Sequence, residues 1–214
     1  MKKTRISCCG DSITFGLMAS SADKSYPSVL QNLLGDEFEV LNFGRSGATV
    51  IDDFDLVPNR YSPYDKTDEY KDSLVSDPDI VILMLGMNDG NPTHCFNEQN
   101  GGAMSDYYEK FYEEVLKRLI KTYQNLPTKP KVYLGRTTHM TRTVENGHEE
   151  FYVKYFNENL SKILKVQEKI AKEMDIPFVD TRAGMEDEGN YKDGCHMTDE
   201  GYEKLAKIFY HALK

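Results

Sequence analysis

Ile80-Val81-Ile82-Leu83-Met84-Leu85 is a run of six apolar residues with no polar residue between them. A strand with one solvated face alternates apolar and polar side chains. An unbroken run asks for cover on both faces. That is the pattern of a middle strand in a parallel sheet with helices on either side. Four further short runs rich in Val, Ile, Leu or Phe accompany it, over residues 5–9, 38–42, 131–134 and 177–180. Helical periodicity fills the intervals, at 26–34, 66–76, 105–124, 151–174 and 198–213. Ser25 reads as an N-cap followed by Pro27 in the first turn, and Thr198 as the cap of the last helix. The alternation predicts a three-layer α/β/α sandwich with about five parallel strands. The 214 residues suit a single domain, 1–214, large enough to bury a core without disulfides.

In open parallel sheets, sites form at the carboxyl ends of the strands. Four informative stretches fall there. Gly10-Asp11-Ser12-Ile13-Thr14 follows the first run, and Asn42-Phe43-Gly44-Arg45-Ser46-Gly47 the second. Gly86-Met87-Asn88-Asp89 follows the third, and Asp193-Gly194-Cys195-His196 lies between the fifth and the last helix. Acyl transfer needs such a set. Ser12 is the candidate nucleophile, His196 the base that accepts its proton, and Asp193 the acid that orients the imidazole. The backbone N–H groups of Ser12 and Gly47 and the side-chain amide of Asn88 are candidate donors to the oxyanion. Asp11 and Asp89 read as loop-holding residues. The serine is outside a Gly-x-Ser-x-Gly elbow, since residue 14 is Thr, which disfavours an ordinary α/β-hydrolase.

These blocks resemble those of the SGNH hydrolases, the GDSL-type esterases and lipases. The four name-giving residues correspond to Ser12, Gly47, Asn88 and His196. The closing block Asp193-x-x-His196-Met-Thr-x-x-Gly201-Tyr202 is similar to the family's ending. The resemblance spans residues 10 to 202. It implies a flavodoxin-like fold and hydrolysis of small acyl esters, acetyl groups on sugars among them. Lysophospholipase and thioesterase activities are alternatives on the same fold. A non-catalytic carbohydrate-binding protein is a further one, disfavoured because Ser12, Asp193 and His196 are all present.

Composition limits the partners. The formal net charge of −9 argues against nucleic acid, whose phosphates need clustered Lys and Arg. No run of ~18 apolar residues suggests a membrane span, and no apolar stretch of ~7–15 residues follows Met1-Lys2-Lys3. A cytoplasmic, reduced protein is expected, with Cys8, Cys9, Cys95 and Cys195 as free thiols. The constellation needs no cofactor and no metal, and Asp52, Asp53 and Asp55 read as a solvated acidic turn. Tyr61, Tyr64, Phe96 and Tyr107, on expected loops, are candidate contacts for a small-molecule ester, stacking on a sugar or packing an acyl chain. His139 follows the fourth run and has a solvent or core role as the simpler reading; His94, His148 and His211 read as surface residues.

Overall fold

The computed structural model describes residues 2–51, 62–92, 102–140 and 149–214, with the backbone alone for 149–152. The main sheet contains β1 (Thr4–Gly10), β2 (Phe38–Gly44), β5 (Ile80–Met84), β6 (Lys131–Gly135) and β7 (Phe178–Val179). Two short strands, β3 (Ala48–Thr49) and β4 (Ser62–Pro63), pair with each other outside it. The sheet order is β2-β1-β5-β6-β7, parallel throughout. This is the flavodoxin-like order, and the strand succession reverses beside β1. The unbroken apolar run is the middle strand, as its composition demands. Val81, Ile82 and Leu83 are each fully buried, on alternate faces.

Helices cover both faces. The helices are α1 (Ser12–Phe15), α2 (Tyr26–Leu34), α3 (Asp68–Val75), α4 (Asp106–Gln124), α5 (Glu149–Glu173) and α6 (Asp199–Leu213). The adjacent cysteines of β1 mark the two sides. Cys8 meets Tyr26 of α2, whose ring stacks on Phe209 of α6 with centroids 5.2 Å apart. Cys9 accepts from Tyr123 of α4, and Tyr123 stands edge-on to Tyr70 of α3. Helix α4 starts where its cap predicts, with the Ser105 hydroxyl accepting from the Tyr108 N–H. Thr198 caps α6 through the Gly201 N–H. Ser25 stands at the N-cap of α2 as expected, but without a side-chain capping bond. Its hydroxyl turns back to Ala22 O and caps nothing in α2. The third helix is shorter than its pattern suggests, because residues 64–66 form a separate turn and Thr67 caps a helix that begins only at Asp68.

Side chains inside the layers tie the strand ends together. On α5, Gln167 is fully buried and donates to Leu85 O and Tyr112 Oη while accepting from Thr137 N. It thereby joins the ends of β5 and β6. Asn159, two turns earlier, accepts from Met104 N and donates to Gly90 O and Gly102 O. Asp89 is fully buried and accepts from Val50 N at 2.8 Å and Ile51 N at 3.0 Å. It holds the loop after β3 against the turn after β5.

Two glycines let α1 lie close over the sheet. A Cβ on Gly44 would sit 2.1 Å from Phe15 N, and one on Gly10 would sit 2.4 Å from Met84 O. These neighbours are backbone, which cannot swing aside. Gly44→Ala is therefore expected to cost about 1–3 kcal/mol through overpacking, read as a lower urea midpoint; an unchanged midpoint would show that α1 can yield.

Burial lifts two carboxylates on this edge, Asp11 to about 6 and Asp89 to about 7, against the pull of the N–H groups they accept. In the unfolded chain an aspartate titrates near ~3.9. Between that pH and the folded value the native state holds a proton that the unfolded chain has released. Their contribution to stability therefore falls as pH rises through about 4 to 7. Asp89→Asn keeps an accepting oxygen without the charge. It should gain stability relative to the natural protein as pH is raised from 4.5 to 8, measured by urea unfolding; parallel curves would contradict the assignment.

Candidate active site

Ser12 is the first residue of α1, directly after β1. Asp11 stands at the N-cap, where its side chain accepts from Ile13 N at 2.9 Å. At the first helical position the Ser12 N–H has no intrahelical acceptor. The helix lasts one turn and ends at Gly16 with φ +92°, so the serine stays at the sheet edge. Ser12 is 5% exposed, and its Oγ lies 2.8 Å from His196 Nε2.

The histidine comes from a tight loop before α6. Its backbone is closed by the Tyr191–Met197 bridge and by Lys192 N donating to His196 O at 2.8 Å. Gly194 takes φ +97° within it. One carboxylate organises the loop. Asp193 Oδ1 accepts from His196 N (2.8 Å) and Cys195 N (3.1 Å), and Oδ2 lies 2.6 Å from His196 Nδ1. Burial alone would push Asp193 up. The bonds from the His196 ring, the His196 N–H and the Cys195 N–H outweigh it and hold Asp193 well below the usual carboxylate range. Asp193 is thus an anion across the ordinary pH range. It fixes Nδ1–H as a donor and leaves Nε2 to face the Ser12 hydroxyl. The neighbouring Cys195 thiol lies 3.5 Å from His196 Nδ1, and burial drives its pKa up, so it is a weak nucleophile.

The donor side is built from two loops. Arg45 N donates to Gly10 O, and Ala48 N closes a turn onto Arg45 O at 3.0 Å. Gly47 takes the third place in that turn at φ +77°, a conformation that favours glycine. Asn88 lies in a short turn after β5, half-buried, and its Nδ2 donates to Ala48 O at 2.8 Å. His196 is hydrogen-bonded to both Ser12 and Asp193, and Asn88 reaches the Gly47 turn through Ala48 O.

The aromatic candidates fare differently. Tyr64 is fully buried, donates its hydroxyl to Phe43 O at 2.7 Å and packs edge-on to Tyr70. It offers no surface to a ligand, because the turn over residues 64–66 points it inward. Tyr107 is 66% exposed in the first turn of α4, not on a loop, and stacks against Phe111. Tyr61 and Phe96 lie outside the described residues, as do Cys95, His94, His148 and the acidic turn at Asp52, Asp53 and Asp55. Sequence reading missed Asn159 and Gln167. Their signal was present, since both occupy the apolar stripe of α5 where only an engaged amide belongs. Among the described residues no helix is long and apolar enough to cross a membrane.

Known proteins share this architecture. The model of the GDSL-like Lipase/Acylhydrolase family matches residues 8–204. The chain is 28% identical over 222 residues to an acetylxylan esterase of Xylanibacter ruminicola, covering 98% of this chain and 43% of that protein. The chain thus spans less than half the length of this relative. Among solved structures, a carbohydrate acetylesterase from Sinorhizobium meliloti superposes with TM-score 0.75 at 18% identity, over 99% of this chain and 98% of that one. An aryl esterase of M. smegmatis does so with TM-score 0.73 at 21% identity, over 98% of each chain. At these identities the structural likeness is one of fold. The family match covers nearly the whole chain and includes every block at the strand ends: the protein belongs to the GDSL-like Lipase/Acylhydrolase family.

Proposed function

We propose that the chain is a serine esterase that removes small acyl groups, acetyl above all, from carbohydrate. The observation that carries this reading is the continuous chain of contacts from Ser12 Oγ to His196 Nε2 (2.8 Å) and from His196 Nδ1 to Asp193 Oδ2 (2.6 Å). Ser12 Oγ attacks the ester carbonyl as its proton passes to Nε2. The imidazolium that forms is held by the anionic Asp193. Charge grows on the carbonyl oxygen, which the N–H groups of Ser12 and Gly47 and the Asn88 side-chain amide receive. Collapse expels the sugar oxygen, which takes the proton from Nε2. Water, deprotonated by the same nitrogen, then releases the acid and restores the serine.

The names of the acetylxylan esterase and carbohydrate acetylesterase relatives support a short acyl group and a carbohydrate alcohol.

Ser12→Ala should lower kcat for p-nitrophenyl acetate by roughly 10⁴-fold or more with the fold intact by circular dichroism; comparable turnover by the variant would remove Ser12 from the nucleophile's role. Asn88→Ala should lower kcat by about 10²–10³-fold, with little change in KM. A loss confined to KM would place Asn88 in binding, not in the oxyanion hole.

A further inference from the structure

The loop before α6 carries one side chain that the proposed reaction leaves unused. Among the described residues, Asp193, Cys195 and His196 are the one group of three whose metal-ligating atoms converge, all within 4.8 Å of one another. They fall within four consecutive positions of the chain. The backbone there is fixed by the Tyr191–Met197 bridge and by Lys192 N donating to His196 O. Asp193 and His196 have parts in the reaction, and the Cys195 thiol has none. Its Sγ lies 3.5 Å from His196 Nδ1 and 3.6 Å from Asp193 Oδ1.

Those spacings fit a bound ion. Around a tetrahedral zinc, bonds of about 2.3 Å to sulfur and 2.0–2.2 Å to nitrogen or oxygen leave the sulfur roughly 3.5 Å from each neighbouring ligand atom. A thiolate, an imidazole and a carboxylate together suit zinc or cadmium. Magnesium and calcium take oxygen ligands instead. Thiolate and carboxylate balance the charge of a divalent cation. Cys195 is a poor nucleophile, yet a coordinated ion displaces the thiol proton outright. Three protein ligands leave a fourth position for water. The Asp193 side chain, 33% exposed, opens the loop to solvent on that side.

The remaining spacing shows what such an ion would displace. Asp193 Oδ2 and His196 Nδ1 are 2.6 Å apart, the length of a hydrogen bond and too short for two ligands of one ion. The ion therefore takes the place of the Nδ1 proton, and a small rotation of the carboxylate makes room. The protons balance. The Cys195 thiol gives one to solvent, and the neutral ring keeps one, moved from Nδ1 to Nε2. An Nε2–H facing Ser12 Oγ across 2.8 Å is a donor and cannot accept the serine's proton. The ion sits on the Nδ1 side of the ring, away from the ester, so the substrate's place stays open.

Resting on the esterase reading above, we propose that Asp193, Cys195 and His196 form an inhibitory site for a thiophilic divalent cation of the zinc class, which stops hydrolysis by occupying Nδ1 of the base. Zinc titrated into the natural protein, in a buffer that does not bind metal, should abolish p-nitrophenyl acetate turnover at one ion per chain. The loss should fall on kcat with little change in KM, and EDTA should reverse it. Cadmium should act alike, and magnesium should not. Cys195→Ala should raise the zinc inhibition constant by at least the ~10–100-fold that losing an outer-shell partner costs, each protein being compared with its own uninhibited rate. Cys195→Ser should do the same, and guards against a variant that fails to fold. Inhibition undiminished in both variants, a purely competitive pattern, or equal inhibition by magnesium overturns the proposal. Cadmium added to Ser12→Ala protein reads the site without catalysis. Its thiolate-to-metal absorption should saturate at one equivalent and be lost when Cys195→Ala is combined with Ser12→Ala; absorption that survives counts against the site. Absence of p-nitrophenyl acetate hydrolysis by the natural protein would instead sink the esterase reading alone, since the cadmium titration tests the site by itself.

Discussion

Ser12 meets a histidine 184 residues further along the chain because every strand of the sheet runs the same way. Parallel strands deliver all their carboxyl ends to one edge, and the chain must leave that edge in irregular loops. Loops have no ladder partners, so their N–H and C=O groups need other acceptors and donors. Here buried side chains supply them. Asp89 takes two N–H groups of the β3 loop, Gln167 bridges the ends of β5 and β6, Asn159 ties Gly90 to residues 102–104, and Asp193 holds the histidine loop. The geometry of the candidate site is the by-product of satisfying backbone polarity where the sheet stops.

Three aspartates on this edge show how environment divides one residue type. Asp11 and Asp89 each accept backbone N–H bonds, yet burial dominates and both are raised. Asp193 is half-buried and accepts two N–H groups and an imidazole, and it is lowered. A titratable ring in direct contact makes the difference. In the proposed reaction His196 takes up charge as Ser12 loses its proton, and the anion at Asp193 is matched to that event. Asp89 serves geometry, and a proton there is compatible with its task.

The strands were readable because burial on two faces leaves no room for polar residues in β5; the ends of the first strands then located Ser12, Gly47 and Asn88, and the loop before the last helix located His196. The histidine's contacts were also readable, since Asp193 lies within one short loop of His196. Tyr64 was not. Its fate depends on a turn of residues 64–66 that hides the ring against Tyr70, and aromatic residues in loops look the same whether they face in or out. Asn159 and Gln167 were legible only as polar interruptions of a helical stripe.

The two glycines beneath α1 have a consequence for changing this protein's specificity. With Phe15 N against Gly44, and Thr14 Oγ1 and Met84 O against Gly10, the turn that carries Ser12, the proposed nucleophile, is a rigid platform. It cannot be tilted to suit a larger acyl group without lifting the helix from the sheet. Libraries that seek new substrates would keep this packing by freezing residues 10–16 and 44 and varying positions elsewhere on the edge.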